Sequence, residues 1–144
     1  MVLNKRTPCV GICSTTYGDL VCRGCKRFAH EIVQWNSYDD TQKDQIWHRL
    51  GYLRHEVVAQ QVEIVEPKAM ALMQNQAGQE PAHGSEQIYL LLRFMSVKSL
   101  GLAAAGLRAI DADVSDALTL LQKIDAEIYE RSIAHYERNV KVLT

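Results

Sequence analysis

The sequence predicts a mainly α-helical protein: an N-terminal four-cysteine metal knuckle followed by a helical bundle of about four helices. Three observations carry that reading. Apolar residues recur with the 3.6-residue period of a helix in several stretches, breaker-rich segments separate those stretches, and all the cysteines of the 144-residue chain lie near its start.

The first 25 residues read as loop. Pro8 disfavours helix at Thr7, and Gly11 and Gly24 each sit inside a cysteine pair, where a tight turn turns amides toward sulfur. Ser14 to Val21 reads as a hairpin or turn around Tyr17-Gly18-Asp19. A helix is expected directly after Cys25, because Phe28, Ile32 and Trp35 fall on one face. Asn36-Ser37 breaks it, and Ser37 with Asp40 reads as the start of a second helix over Tyr38–Val65. That helix carries Ile46, Leu50, Leu53 and Val57 as its stripe, with Pro67 as its stop.

Residues 66–85 read as a linker, with two helical turns over Ala69–Gln76 and breakers from Ala77 to Gly84. Two more helices are expected, Glu86–Ala109 and Val114–Val140, the latter capped by Asp113 and striped by Leu118, Leu121, Ile124, Ile128 and Ile133. The chain thus divides into residues 1–65 (knuckle and two helices), 66–85 (linker) and 86–144 (antiparallel helical hairpin).

Charge is nearly balanced overall but unevenly spread. Lys5, Arg6, Arg23, Lys26 and Arg27 face only Asp19 in the first 28 residues, whereas the second half is mildly acidic. A basic head offsets the negative charge of a thiolate site, and Lys26 and Arg27 are candidate anion contacts. Met1–Thr7 lacks the apolar run and small-residue cleavage site of a signal peptide, so a cytoplasmic location is expected. The apolar stretch Ile88–Ile110 holds Arg93 and Lys98, each costing about 2.5–3.5 kcal/mol near a bilayer centre, so it reads as a buried helix with no membrane span.

In a reducing compartment, Cys9, Cys13, Cys22 and Cys25 read as metal ligands before they read as disulfides. Two close thiolate pairs suit tetrahedral zinc, and four cysteines also serve an iron–sulfur cluster, although the ferredoxin spacings do not match. Spacing therefore favours zinc, with an iron–sulfur centre as the alternative. Gly11, Gly24 and Arg23 are the expected supports around the ligands.

Thr7-Pro8-Cys9-Val10-Gly11-Ile12-Cys13, Gly18-Asp19-Leu20-Val21-Cys22-Arg23-Gly24-Cys25-Lys26-Arg27 and Glu31-Ile32-Val33-Gln34-Trp35 together resemble the bacterial domain of unknown function 1289 family. The resemblance spans roughly residues 5–55, and Ala134-His135-Tyr136-Glu137-Arg138 resembles the end of the longer gamma-proteobacterial members. It implies that Cys9, Cys13, Cys22 and Cys25 are the family's cysteines, in proteins often named predicted iron–sulfur proteins. It implies no activity.

Elsewhere the chemistry is thin. His30, His48, His55, His83 and His135 are scattered, and Asp111, Asp113 and Asp116 are explained by a helix cap and acidic first turn. No phosphate loop, serine nucleophile motif or catalytic carboxylate pair is present, so a binding role is read ahead of an enzymatic one. The first reading is a metal-stabilised module that engages another protein. The alternatives are an iron–sulfur redox carrier or sensor, and a nucleic-acid or ribosome binder using Arg23, Lys26, Arg27, Tyr17 and Phe28.

Overall fold

A computed structural model describes residues 7–10 and 13–140. Its described residues are mainly helical, with five α-helices: α1 (Ala29–Gln34), α2 (Asp40–Gln61), α3 (Pro67–Gln76), α4 (Ser85–Val97) and α5 (Ala117–Asn139). Three 3₁₀ turns (Ser14–Tyr17, Trp35–Ser37, Leu102–Ala105) and two short strands, β1 (Val62–Ile64) and β2 (Leu107–Ala109), complete the order. No described helix is long and apolar enough to cross a membrane.

Side-chain bonds fix the starts of α1, α2 and α5, at positions other than those expected. The first helix does not begin at Cys25. Its cap is at Phe28, whose N–H donates to the Glu31 carboxylate at 2.8 Å. At α2 the reciprocal pair is Asp39 and Gln42 rather than Ser37 and Asp40. The Gln42 amide donates to Asp39 Oδ1 at 2.8 Å, and the Asp39 amide donates to Gln42 Oε1 at 3.0 Å. The α5 cap is Asp116, not Asp113; its carboxylate accepts from the Thr119 amide at 2.9 Å and hydroxyl at 3.0 Å.

Two helices are shorter than expected, for a common reason. The first gives way at Val62, whose alternating Val-Glu-Ile pairs antiparallel with β2 in the register Val62↔Ala109, Glu63↔Arg108, Ile64↔Leu107. The second, α4, stops at Val97 instead of Ala109. Ser99 takes the left-handed conformation (φ 55°), and the Leu100 amide reaches back to the Met95 carbonyl at 3.0 Å. That is a helix-terminating bond pattern. Gly106 (φ 65°) then turns the chain into β2, where its carbonyl accepts from the Val65 and Glu66 amides.

The chain divides into two compact units, Met1–Leu53 with Glu127–Thr144, and Arg54–Ala126. These divisions fall elsewhere than in residues 66–85. That stretch holds α3, and its loop is tied by Gln74 Nε2 to the Ala82 carbonyl at 2.7 Å and by Gln79 Nε2 to the Gln87 carbonyl at 3.3 Å.

The second unit has its own core, in which Val57, Val58, Met70, Leu91, Leu92, Met95, Leu120 and Ile124 are all buried. In α5 the buried positions Ala117, Leu120, Ile124, Ile128 and Ser132 form the inward stripe, while Leu118 is exposed. Tyr89 donates to Asp125 at 2.7 Å and carries the Arg54 guanidinium over its ring at 4.3 Å.

The first unit is held by two side-chain clusters. Trp35, Ile46 and Leu50 form an apolar cluster with Tyr38 and Trp47 against it. Beside it, Phe28 is buried, stacks on His135 with centroids 5.7 Å apart and meets Tyr136 edge-on at 5.3 Å. The C-terminal part of α5 therefore packs with the cysteine-bearing segment.

Candidate metal centre

The loop that carries the second cysteine pair is built by a single bridge. Val21 and Phe28 pair antiparallel, the Cys22 amide donates to the Arg27 carbonyl, and the Lys26 amide donates back to the Cys22 carbonyl, both at 2.9 Å. The six residues between must turn sharply, and Lys26 takes the left-handed conformation (φ 68°) that closes the turn. Gly24 does not take a positive φ, so its value is elsewhere: its amide, with those of Cys25 and Ser14, points at the Cys22 sulfur.

That convergence sets the chemistry of Cys22. Its side chain is 1 % exposed, and burial pushes the thiol up; the Cys25, Ser14 and Gly24 amides, with a further bond to the Cys25 side chain, outweigh it. The result is a pKa lowered to about 7, because hydrogen bonds to the charged form favour it. Cys13, half-buried, is also lowered, first by the Thr15 hydroxyl, which lies 2.8 Å from its sulfur. Cys25 is raised by burial, against the pull of Arg27, whose Nε donates to its sulfur at 3.3 Å.

Charge on Cys22 pushes up the thiols of both Cys13 and Cys25, so these three sulfurs share one electrostatic environment. A cation is the species that relieves such mutual repulsion. Cys9 is exposed, and its amide donates to the Thr7 hydroxyl at 3.1 Å. None of the four cysteines is in a disulfide. Among the described residues, no three Cys, His, Asp or Glu side chains are grouped closely enough to hold a metal ion. Four cysteines outside any disulfide leave thiols that are compatible with a thiophilic metal.

The remaining expected supports divide clearly. Gly11 lies outside the described residues. Arg23 turns away from the sulfurs: its Nε lies 3.5 Å from Asp19, and its guanidinium lies 4.6 Å over Tyr129. Lys26 and Arg27 are buried; Lys26 Nζ donates to the Gly24 carbonyl at 2.9 Å, and Arg27 lies 4.9 Å over Trp35. Tyr17 is 88 % exposed, whereas Phe28 sits in the core at 3 %. The two rings do not form one exposed stacking face.

The supports that sequence reasoning missed are hydroxyls. Thr15 bonds Cys13, the Ser14 hydroxyl accepts from the Arg23 amide at 2.8 Å, and Thr7 accepts from Arg27 at 3.2 Å. The run Ser14-Thr15-Thr16 directly after Cys13 was the available signal, since such residues bond neighbouring polar groups.

Comparison with curated proteins and with solved structures finds no match to the chain. A family match covers residues 7–54, which contain all four cysteines, the thiolate turn, α1 and most of α2. Over that third of its length the chain matches the family described as Protein of unknown function (DUF1289).

Proposed function

We propose that the N-terminal loop takes up one metal ion on Cys9, Cys13, Cys22 and Cys25, and that the ion's role is structural, in a non-enzymatic protein that works by engaging another protein. The amide convergence on Cys22 carries this reading. Three backbone donors aimed at one buried sulfur hold it as a thiolate near neutral pH, and a thiolate is the form that binds metal. Zinc on four thiolates is a closed shell with no position for substrate. When bound, the ion supplies positive charge to a segment that otherwise keeps like-charged sulfurs together. Within the chain, Arg27 and the amides of Ser14, Gly24 and Cys25 orient and stabilise the sulfurs. Lys26 and Arg27 are buried, which supports a role toward this loop over contact with an external anion.

The test is elemental analysis with a visible spectrum on anaerobically purified full-length chain, alongside Cys22→Ser. One zinc per chain and no colour are expected, with the variant losing metal and melting at lower temperature. Iron with acid-labile sulfide and a brown colour would replace zinc by a cluster. A metal-free Cys22→Ser protein that keeps the wild-type fold and melting temperature would overturn the structural role.

A further inference from the structure

The turn Gly18–Val21 between the cysteine pairs and the C-terminal part of α5 enclose a cleft of about 260 Å³ within the first unit. Its walls are apolar at Leu20, Val21 and Ile133, aromatic at Tyr129 and Tyr136, and acidic at Asp19 and Glu137. Among the described residues, no basic side chain lines it. The volume falls below the roughly 300–1,000 Å³ of sites for drug-sized ligands, so it suits one side chain better than a cofactor.

The chain itself shows what this surface holds. Arg23 is not part of the lining, yet it touches two residues that are: its guanidinium lies 4.6 Å over the Tyr129 ring, and its Nε lies 3.5 Å from the Asp19 carboxylate. A planar cation on an aromatic face with a carboxylate beside it is the arrangement that suits arginine over lysine. Glu137 supplies a second carboxylate that Arg23 is not seen to use. Just before the turn Tyr17 is exposed, and tyrosine is a residue type enriched at protein interfaces.

We propose that this cleft receives an arginine side chain from a protein partner, with Asp19 and Glu137 as counter-charges and the tyrosine rings as its stacking surface. Arg23 holds the rim when the partner is absent and competes with it. Two carboxylates at the cleft disfavour a nucleic-acid phosphate as occupant. The inference goes beyond the metal reading and does not rest on it.

The experiment titrates the full chain, as purified, with N-acetylarginine amide and follows backbone amide shifts by NMR. Saturable shifts are expected at residues 18–21 and 129–137. Arg23→Gln, which removes the resident competitor, is expected to bind the probe three- to tenfold more tightly. Glu137→Gln, at an exposed position that leaves the core untouched, is expected to bind it at least threefold more weakly. Absence of saturable binding to both the wild type and Arg23→Gln would overturn the proposal. Equal binding of uncharged N-acetylnorleucine amide would overturn it too, because the cleft would then be reading apolar surface alone. Should Arg23→Gln disturb the neighbouring cysteine turn, the wild-type and Glu137→Gln titrations decide: equal affinities refute the proposal.

Discussion

Arg49 grips Glu31 with both arms of its guanidinium, Nη1 at 2.6 Å from one carboxylate oxygen and Nη2 at 2.7 Å from the other. The same carboxylate caps α1 through the Phe28 amide, and the same guanidinium lies 4.2 Å over the Phe28 ring. One ion pair thus joins a helix start, α2 and the aromatic cluster on α5. Arg49→Met should cost about 3 kcal/mol in chemical denaturation, because it leaves Glu31 charged and nearly buried without its partner. Adding Glu31→Gln to Arg49→Met should return part of that loss. A double variant no more stable than Arg49→Met would refute the coupling.

Two glycines should respond in opposite directions to the same change. A Cβ at Gly106 would collide with the Glu66 carbonyl oxygen, at a φ of 65°. Gly106→Ala should therefore cost at least about 2 kcal/mol and speed hydrogen exchange at the Val65 amide, which donates to the Gly106 carbonyl. Gly51 lies inside α2 with nothing within 4 Å of a built Cβ. There, Gly51→Ala should stabilise by about 0.5–1 kcal/mol.

The α2 cap gives a prediction that separates the expected start from the observed one. Asp39→Ala removes the acceptor for the Gln42 amide and should cost about 1 kcal/mol. Ser37→Ala should change stability much less, since its hydroxyl donates only to the Gln34 carbonyl one turn back. Thermal melts of both variants compare the two directly. A larger loss in the serine variant would place the cap back at Ser37.

Metal-free protein should gain stability as pH rises from about 7 toward 9. The Cys22 thiol has a folded pKa of about 7, below its ordinary value of 9.0. A depressed pKa contributes stability that is complete above the unfolded value and lost as pH falls through the folded one. The gain from Cys22 should be on the order of 2 kcal/mol, and Cys22→Ser should show a correspondingly smaller rise, keeping only what Cys13 supplies. Denaturation midpoints at neutral and alkaline pH, read for both proteins, check the difference.

The two long helices were legible because their signals are local: apolar period and breakers lie within one stretch of chain. The β ladder was not. Val62-Glu63-Ile64 does alternate, but it follows directly on α2, and its partner Leu107–Ala109 follows an alanine-rich run that reads as helix. Pairing across more than forty residues outweighed local propensity there. The caps of α2 and α5 moved by two and three residues because several Asp and Ser side chains compete near each of those starts. Glu31 and Arg49 lie 18 residues apart with no periodic relation, so nothing in the sequence joins them.

The cysteine-bearing unit is assembled from two stretches separated by the whole of Arg54–Ala126. Phe28 is made 108 residues before Tyr136, its edge-on neighbour. At translation rates of about 5–20 residues per second, the ribosome delivers the thiolate turn roughly 5–20 s before the ring that covers it. During that interval, local hydrogen bonds and any captured ion are what can organise the segment, and Phe28 waits uncovered. Order of synthesis thus sets an order of assembly, with the sulfur turn first and the closing helix last.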